Sequence, residues 1–397
     1  MSFDDIPGLP NSDGDLERAL NIINDHAYDW GWLLDQAGWI NGVIRTATHR
    51  DRFFHYAVDT LMNVLPTMLT GREFEPWWDR LIALLLTAQD LQDKDLIARL
   101  TVALARYQNM IGNPGQAEIL LNRAGSYAEK GSRDTQLDAY AALIETYILA
   151  PPRRFDAALF ETALSIAARS ENNELKALIH QMVAVSYLHR HDFDRASFHI
   201  GKAQDQAAVL KDPGMFLRTL LISTSLTRLQ GDFATCTTLL QKAREVYPMT
   251  VRSRRNYMQI CYEDGAICIE EERFEDAANH FQDALTQSEG LEDSYETGLC
   301  HVGLASAHLH LGHLDEAIRA IEEAHDIWQY IGNRYLVVHA MYTRGYIELL
   351  RGVDPPLTRT LLVDALEAAQ EIDQHAAREQ LEDLIRDKLD RLGPAPV

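Results

Sequence analysis

The sequence predicts an all-α protein, built as a solenoid of helical hairpins stacked side by side. Three observations predict it. Only 13 prolines and 22 glycines interrupt 397 residues, and Ala, Leu, Glu, Gln and Arg, which lose little entropy in a helix, dominate the rest. Alternating Val, Ile and Thr runs of the kind that form strands are absent. A short helix-opening pattern recurs roughly every 40 residues, and such a period is the signature of a repeat architecture.

The pattern is an apolar or turn residue, two polar-leaning residues, and then an inward-facing residue that is usually small. The clear copies begin at Phe193, Phe233, Phe274 and Leu314, and place Ala196, Cys236, Ala277 and Ala317 inward. Looser copies begin at Phe74, Pro114 and Phe155, and a degenerate one at Pro355. Inward positions at 77, 117, 158, 196, 236, 277 and 317 are separated by 40, 41, 38, 40, 41 and 40 residues.

Each hairpin is justified by its own residues. Small residues recur two turns after the inward position, at Ala124, Ala203, Ala243, Ala284 and Ala324, and therefore share its helix face. Others lie on the preceding helix at Ala105, Ala184, Thr224, Gly265 and Ala305. Two helices joined by a short turn approach closely only where side chains are small. Gly71, Gly112, Gly231, Gly312 and Gly352 punctuate the hairpins, and Gly131, Pro213, Pro248, Gly290 and Gly332 separate one from the next. Glycine ends helices in the left-handed conformation and proline suits a first turn.

This spacing of small and aromatic residues resembles the tetratricopeptide repeat (TPR) family, with Phe281 between Ala277 and Ala284 and Tyr187 late in a first helix as matching positions. The repeats are longer than the common 34 residues and lack the early tryptophan. In this they resemble the sensor region of bacterial maltose-regulon activators. The resemblance implies a right-handed superhelical solenoid of about eight repeats, a binding role as scaffold or sensor, and first helices that line the concave surface.

Outside the repeat, residues 1–14 read as a disordered arm and residues 15–50 as capping helices rich in tryptophan (Trp30, Trp32, Trp39). The solenoid covers 51–372, and 373–397 holds a charged capping helix with a short tail. No linker interrupts the middle, which predicts one domain. The N-terminal tryptophans, with Trp77 and Trp78, either fill the cap or form a homodimer or partner contact.

Composition narrows function. A formal net charge of −22 disfavours nucleic acid and anionic membranes and favours solubility. No apolar stretch is long enough to span a bilayer, and the acidic start, Met1 to Pro10, lacks a secretory pattern. Both point to a cytoplasmic protein. Cys236, Cys261, Cys268 and Cys300 have no CxxC spacing and read as buried apolar residues. No phosphate loop, HExxH or GxSxG motif occurs, so the sequence predicts no enzyme and no cofactor. His308 and His310 sit two residues apart on a helix and so point to different sides, which predicts no metal site.

Counting back 18, 15, 11 and 8 residues from each inward position gives the groove face that the resemblance implies. It offers Arg99, Arg106 and Asn109; then Tyr140 and Tyr147; Gln181; Arg218, Ser225 and Arg228; Gln259 and Tyr262; and finally His339, Tyr342 and Tyr346. These are candidate ligand-binding residues or, for some, contacts between repeats. Arginine forks suit carboxylates, so the expected partner is a protein or peptide with acidic or C-terminal carboxylate groups. On this reading Arg106→Glu combined with Arg228→Glu abolishes binding and leaves helicity unchanged. A second basic cluster, Arg252, Arg254 and Arg255, reads as ion-paired or as a further carboxylate clamp.

Overall fold

A computed structural model describes residues 9–392 apart from 28, 71–74, 111–112, 150–154, 191, 211, 251–253, 289–294, 331 and 373–374. All regular structure among the described residues is helical. Three N-terminal helices, α1 (Asp13–Asp25), α2 (Trp30–Asp35) and α3 (Ala37–Thr48), precede eight consecutive helix–turn–helix pairs. The pairs are α4 (Phe54–Thr70) with α5 (Glu75–Asp90), α6 (Lys94–Met110) with α7 (Pro114–Ala128), α8 (Arg133–Leu149) with α9 (Ala157–Ala167), and α10 (Asn173–Leu188) with α11 (Phe193–Ala207). They continue as α12 (Pro213–Leu229) with α13 (Phe233–Val246), α14 (Arg254–Glu270) with α15 (Phe274–Ser288), α16 (Tyr295–His310) with α17 (Leu314–Tyr330), and α18 (Arg334–Arg351) with α19 (Pro355–Ala369). A single helix, α20 (His375–Arg391), ends the order.

Contacts divide the chain into two compact units, and the division falls inside α8, α12 and α13 as well as in connections between helices. The first comprises residues 1–146, 156–219 and 245–253; the second comprises 147–155, 220–244 and 254–397.

In the first unit Trp32, Trp39 and Trp78 pack against the hydrophobic core. Trp32 stacks on His26 at 4.3 Å and meets Trp39 edge-on at 6.2 Å, while Trp78 lies 4.8 Å from Tyr107. Trp77 is buried in the same core, beside Leu61, Leu81 and Leu100. The side chain of Trp30 lies outside the described residues, as do Phe74, the first residues of the expected arm, the C-terminal tail, and the side chains of Arg252, Arg254 and Arg255.

In the second unit small residues let neighbouring helices approach closely. Phe281 lies in a slot made by two glycines of neighbouring first helices: an added Cβ would come within 2.9 Å of its ring at Gly265 and 2.4 Å at Gly303. Trp328 occupies a similar notch at Gly298. Cys261, Cys268 and Cys300 line this core as free thiols, and Cys236 is likewise free and buried.

Several helix starts follow one rule. A capping residue accepts a hydrogen bond from the backbone N–H three residues on, as Asp156, Asn172, Asp192, Asp232 and Asp354 do. The inward position follows the cap by four residues, as in Asp192 to Ala196 and Asp232 to Cys236, and both inward residues are fully buried. The same rule corrects one expected position: from Asp156 it selects Phe160, which is 2% exposed, whereas Ala158 is exposed. The last repeat likewise turns Thr358 inward from Asp354. Turns close on left-handed residues at Gly231, Gly312 and Gly352, and Glu272, at φ 59°, fills the place that glycine holds in the neighbouring repeats.

Candidate functional site

The first helices of the hairpins carry a line of polar side chains, and most of these reach the next first helix. In the first unit, Asn109 on α6 and Thr146 on α8 are both buried and exchange hydrogen bonds of 2.9 and 3.3 Å. Gln181 on α10 is fully buried, and its Nε2 donates to the Met215 carbonyl at 3.0 Å and to Thr219 Oγ1 at 2.7 Å, both on α12. Both amides are enclosed, although Gln181 Oε1 has no hydrogen-bond partner among the described residues. The structure thus sets Asn109 and Gln181 inside a helix seam, where they bond to the next first helix, rather than on an open groove surface.

The arginines follow the same logic. Arg99 pairs with Asp59 on α4 at 2.7 Å, and Arg106 pairs with Asp138 on α8 at 2.6 Å with Glu145 at 3.9 Å. In the second unit, Arg228 Nε donates to Glu263 Oε2 at 2.6 Å, and Ser225 donates to the other oxygen of the same carboxylate. Glu263 is 1% exposed. Arg228 also lies over the Tyr262 ring, 5.7 Å from its centroid. Each of these partners sits about one repeat away along the chain, so the sequence could show the polar residue but not what met it.

The expectation for Arg106→Glu with Arg228→Glu changes accordingly. Either substitution sets a carboxylate against one already in place, and at Arg228 that partner is buried. Such a change acts on stability, so loss of binding would not identify a ligand contact.

Arg218 behaves differently. It is exposed on α12, and it is the one guanidinium of the expected set without an ion pair among the described residues. It stands in a charged patch on the first unit with Glu174, Asp138, Asp212 and Arg106. Burial, together with Asp212 and Asp138, holds the Glu174 carboxyl above its usual range, against the opposing pull of Arg106 and Arg218.

Tyr140 and Tyr147 are half-buried on α8. They were counted from Ala158, and the corrected inward residue Phe160 moves the count by two, onto Ala142 and Glu145 among others. Gln259 is half-buried on α14. On α18, Tyr335, His339, Tyr342 and Tyr346 form a run of rings with centroids 6.2 to 6.4 Å apart, and Lys388 of α20 sits 5.0 Å from the Tyr346 ring. Burial lowers the His339 pKa and raises that of Tyr342.

Around the expected metal-free histidines, His310 stacks on Phe274 at 4.4 Å and the His308 ring lies 5.7 Å from that of His313. Among the described residues no three His, Cys, Asp or Glu side chains are placed to hold a metal ion, and no helix is long and apolar enough to cross a membrane.

No protein-family model and no curated protein sequence matches the chain. Solved structures do. A Rap protein complexed with competence and sporulation factor is 14% identical, with 74% of this chain and 86% of that chain covered and a TM-score of 0.59. A signal-transduction ATPase with numerous domains and a TPR sensor, from Pyrococcus horikoshii, is 11% identical, with 98% of this chain but 64% of that chain covered and a TM-score of 0.54. Human IFIT1, as a dimer with m7Gppp-AAAA, is 12% identical, with 96% and 88% covered and a TM-score of 0.57. At these identities the likeness is one of fold: the chain has the architecture of TPR-like helical solenoids.

Proposed function

We propose that this chain is a TPR-like binding module that holds a segment of a protein or peptide partner against the first helices of its hairpins. The observation that carries the reading is Arg218. Once the seam residues are set aside, it is the exposed guanidinium of the expected set that has no ion pair among the described residues. A partner carboxylate, from an acidic side chain or a chain end, meets it in two-pronged fashion. The exposed first-helix side chains around it supply further polar contacts.

The test is co-purification from the native host with the wild-type chain and with Arg218→Glu. The substitution lies on an exposed position and leaves the fold intact. Loss of the captured partner is expected, by roughly tenfold in affinity or more. A partner retained by Arg218→Glu, but lost when the exposed Ile119 on α7 is changed to Ser, sinks the reading.

A second reading, a regulatory sensor that acts on a separate effector, draws support from the fold shared with the Rap protein complexed with competence and sporulation factor. A sensor is stabilised by its free ligand as RT ln(1 + [L]/Kd), about 2.7 kcal/mol at 100 Kd. A scaffold shows no such shift until its protein partner is added.

A further inference from the structure

The second unit holds a cleft that lies away from the groove face. Its volume is about 560 Å³, and it opens over α16 between α15 and α17. On α16 the cleft is floored by Leu304 and His308, which lie about 150° around the helix from the positions counted for the groove. A volume in this range suits a peptide side chain with its flanking backbone.

Several polar groups of the cleft can accept hydrogen bonds. Arg319 on α17 is tied to Glu316 by a 3.1 Å ion pair, which leaves Glu323, exposed one turn further along the same wall, without an ion-pair partner among the described residues. His308 Nδ1 is enclosed and has no hydrogen-bond partner among the described residues. Opposite, on α15, Thr286 adds a hydroxyl oxygen. Leu304 gives the floor an apolar strip between these groups. Burial, reinforced by His313, lowers the His308 pKa and so favours a neutral ring with a nitrogen lone pair.

We infer that this cleft binds an arginine side chain from a basic segment of a partner protein, its methylene stem on Leu304 and its guanidinium on the Glu323 carboxylate. Arginine fits because its stem covers apolar surface while its fork supplies paired donors to a carboxylate. The net charge of −22 draws such a segment to the surface. The cleft belongs to the second unit and Arg218 to the first, and their preferences are opposite, since one takes cations and the other carboxylates.

The probe is a capped hexapeptide alternating arginine and leucine, with a glutamate–leucine hexapeptide as its counterpart, titrated calorimetrically against the full chain. The basic peptide is expected to bind and the acidic one not to. Glu323→Gln should weaken binding by about 5-fold. Glu275→Gln, which removes the same charge from an exposed site on α15 outside the cleft, should leave it unchanged, as should Arg218→Glu. The basic peptide should also move the His308 ring signals in an NMR spectrum, assigned by their loss in His308→Asn. Absence of binding, equal binding of the two peptides, or equal weakening by the two glutamine variants overturns the inference, the last because it reports bulk charge alone.

Discussion

His180 on α10 and His199 on α11 set their Nδ1 atoms 2.9 Å apart, so one proton serves both rings and at least one must stay neutral. Tyr187 stacks on His199, with centroids 5.8 Å apart. Burial, then His199, then Lys202 push the His180 pKa down to about 4, and burial lowers that of His199 as well. The unfolded chain takes up its proton near the ordinary value of about 6.5. Stability from this pair is therefore complete above about pH 6.5 and declines as pH falls towards 4, by on the order of 2 kcal/mol once solvent screening is allowed for. Urea denaturation at pH 7 and pH 4.5 measures the decline, and His180→Asn should flatten it. At Arg228 the pair is buried deeper. Arg228→Glu should cost about 3–5 kcal/mol by the same assay, because it leaves Glu263 facing a like charge in the core. Replacing both residues by Met should cost distinctly less.

Among the elements, the α14–α15–α16 packing depends on a side chain entering where another has none. Phe281 fills the space left by Gly265 and Gly303. Gly303→Ala forces its ring to move and should destabilise the fold by about 1–3 kcal/mol, read as a lower thermal midpoint. Combining it with Phe281→Leu should restore part of the loss. The sequence pointed to Gly265 through its spacing but passed over Gly303, since that position is set by a ring on a helix of the previous hairpin. Helix starts were more legible than they were first read. The Asp and Asn caps at Asp156, Asn172, Asp192, Asp232 and Asp354 stand in plain view, and counting four residues from Asp156 finds Phe160 where spacing alone had chosen Ala158.

Across the whole molecule, the helical class and the 40-residue beat were legible because they rest on local composition and on residues a fixed distance apart. The binding face was legible only as a list of candidates. Arg106, Asn109, Gln181 and Arg228 are polar residues at groove-facing counts, and nothing in one helix shows that its neighbour supplies their partners. The cleft over α16 escaped the sequence altogether, since it is the space between two helices that sequence patterns treat separately.

The seam between successive first helices carries a consequence for how the chain comes to be folded. Each bond in it, from Arg99 with Asp59 to Ser225 with Glu263, joins residues no more than 40 positions apart. Closing so short a span costs little entropy, and the cost rises by only about 0.6 kcal/mol for each doubling of length. Folding can thus begin at any hairpin and spread to the next without waiting for distant ends to meet. Lineages that gain or lose one complete period would keep every remaining joint in register.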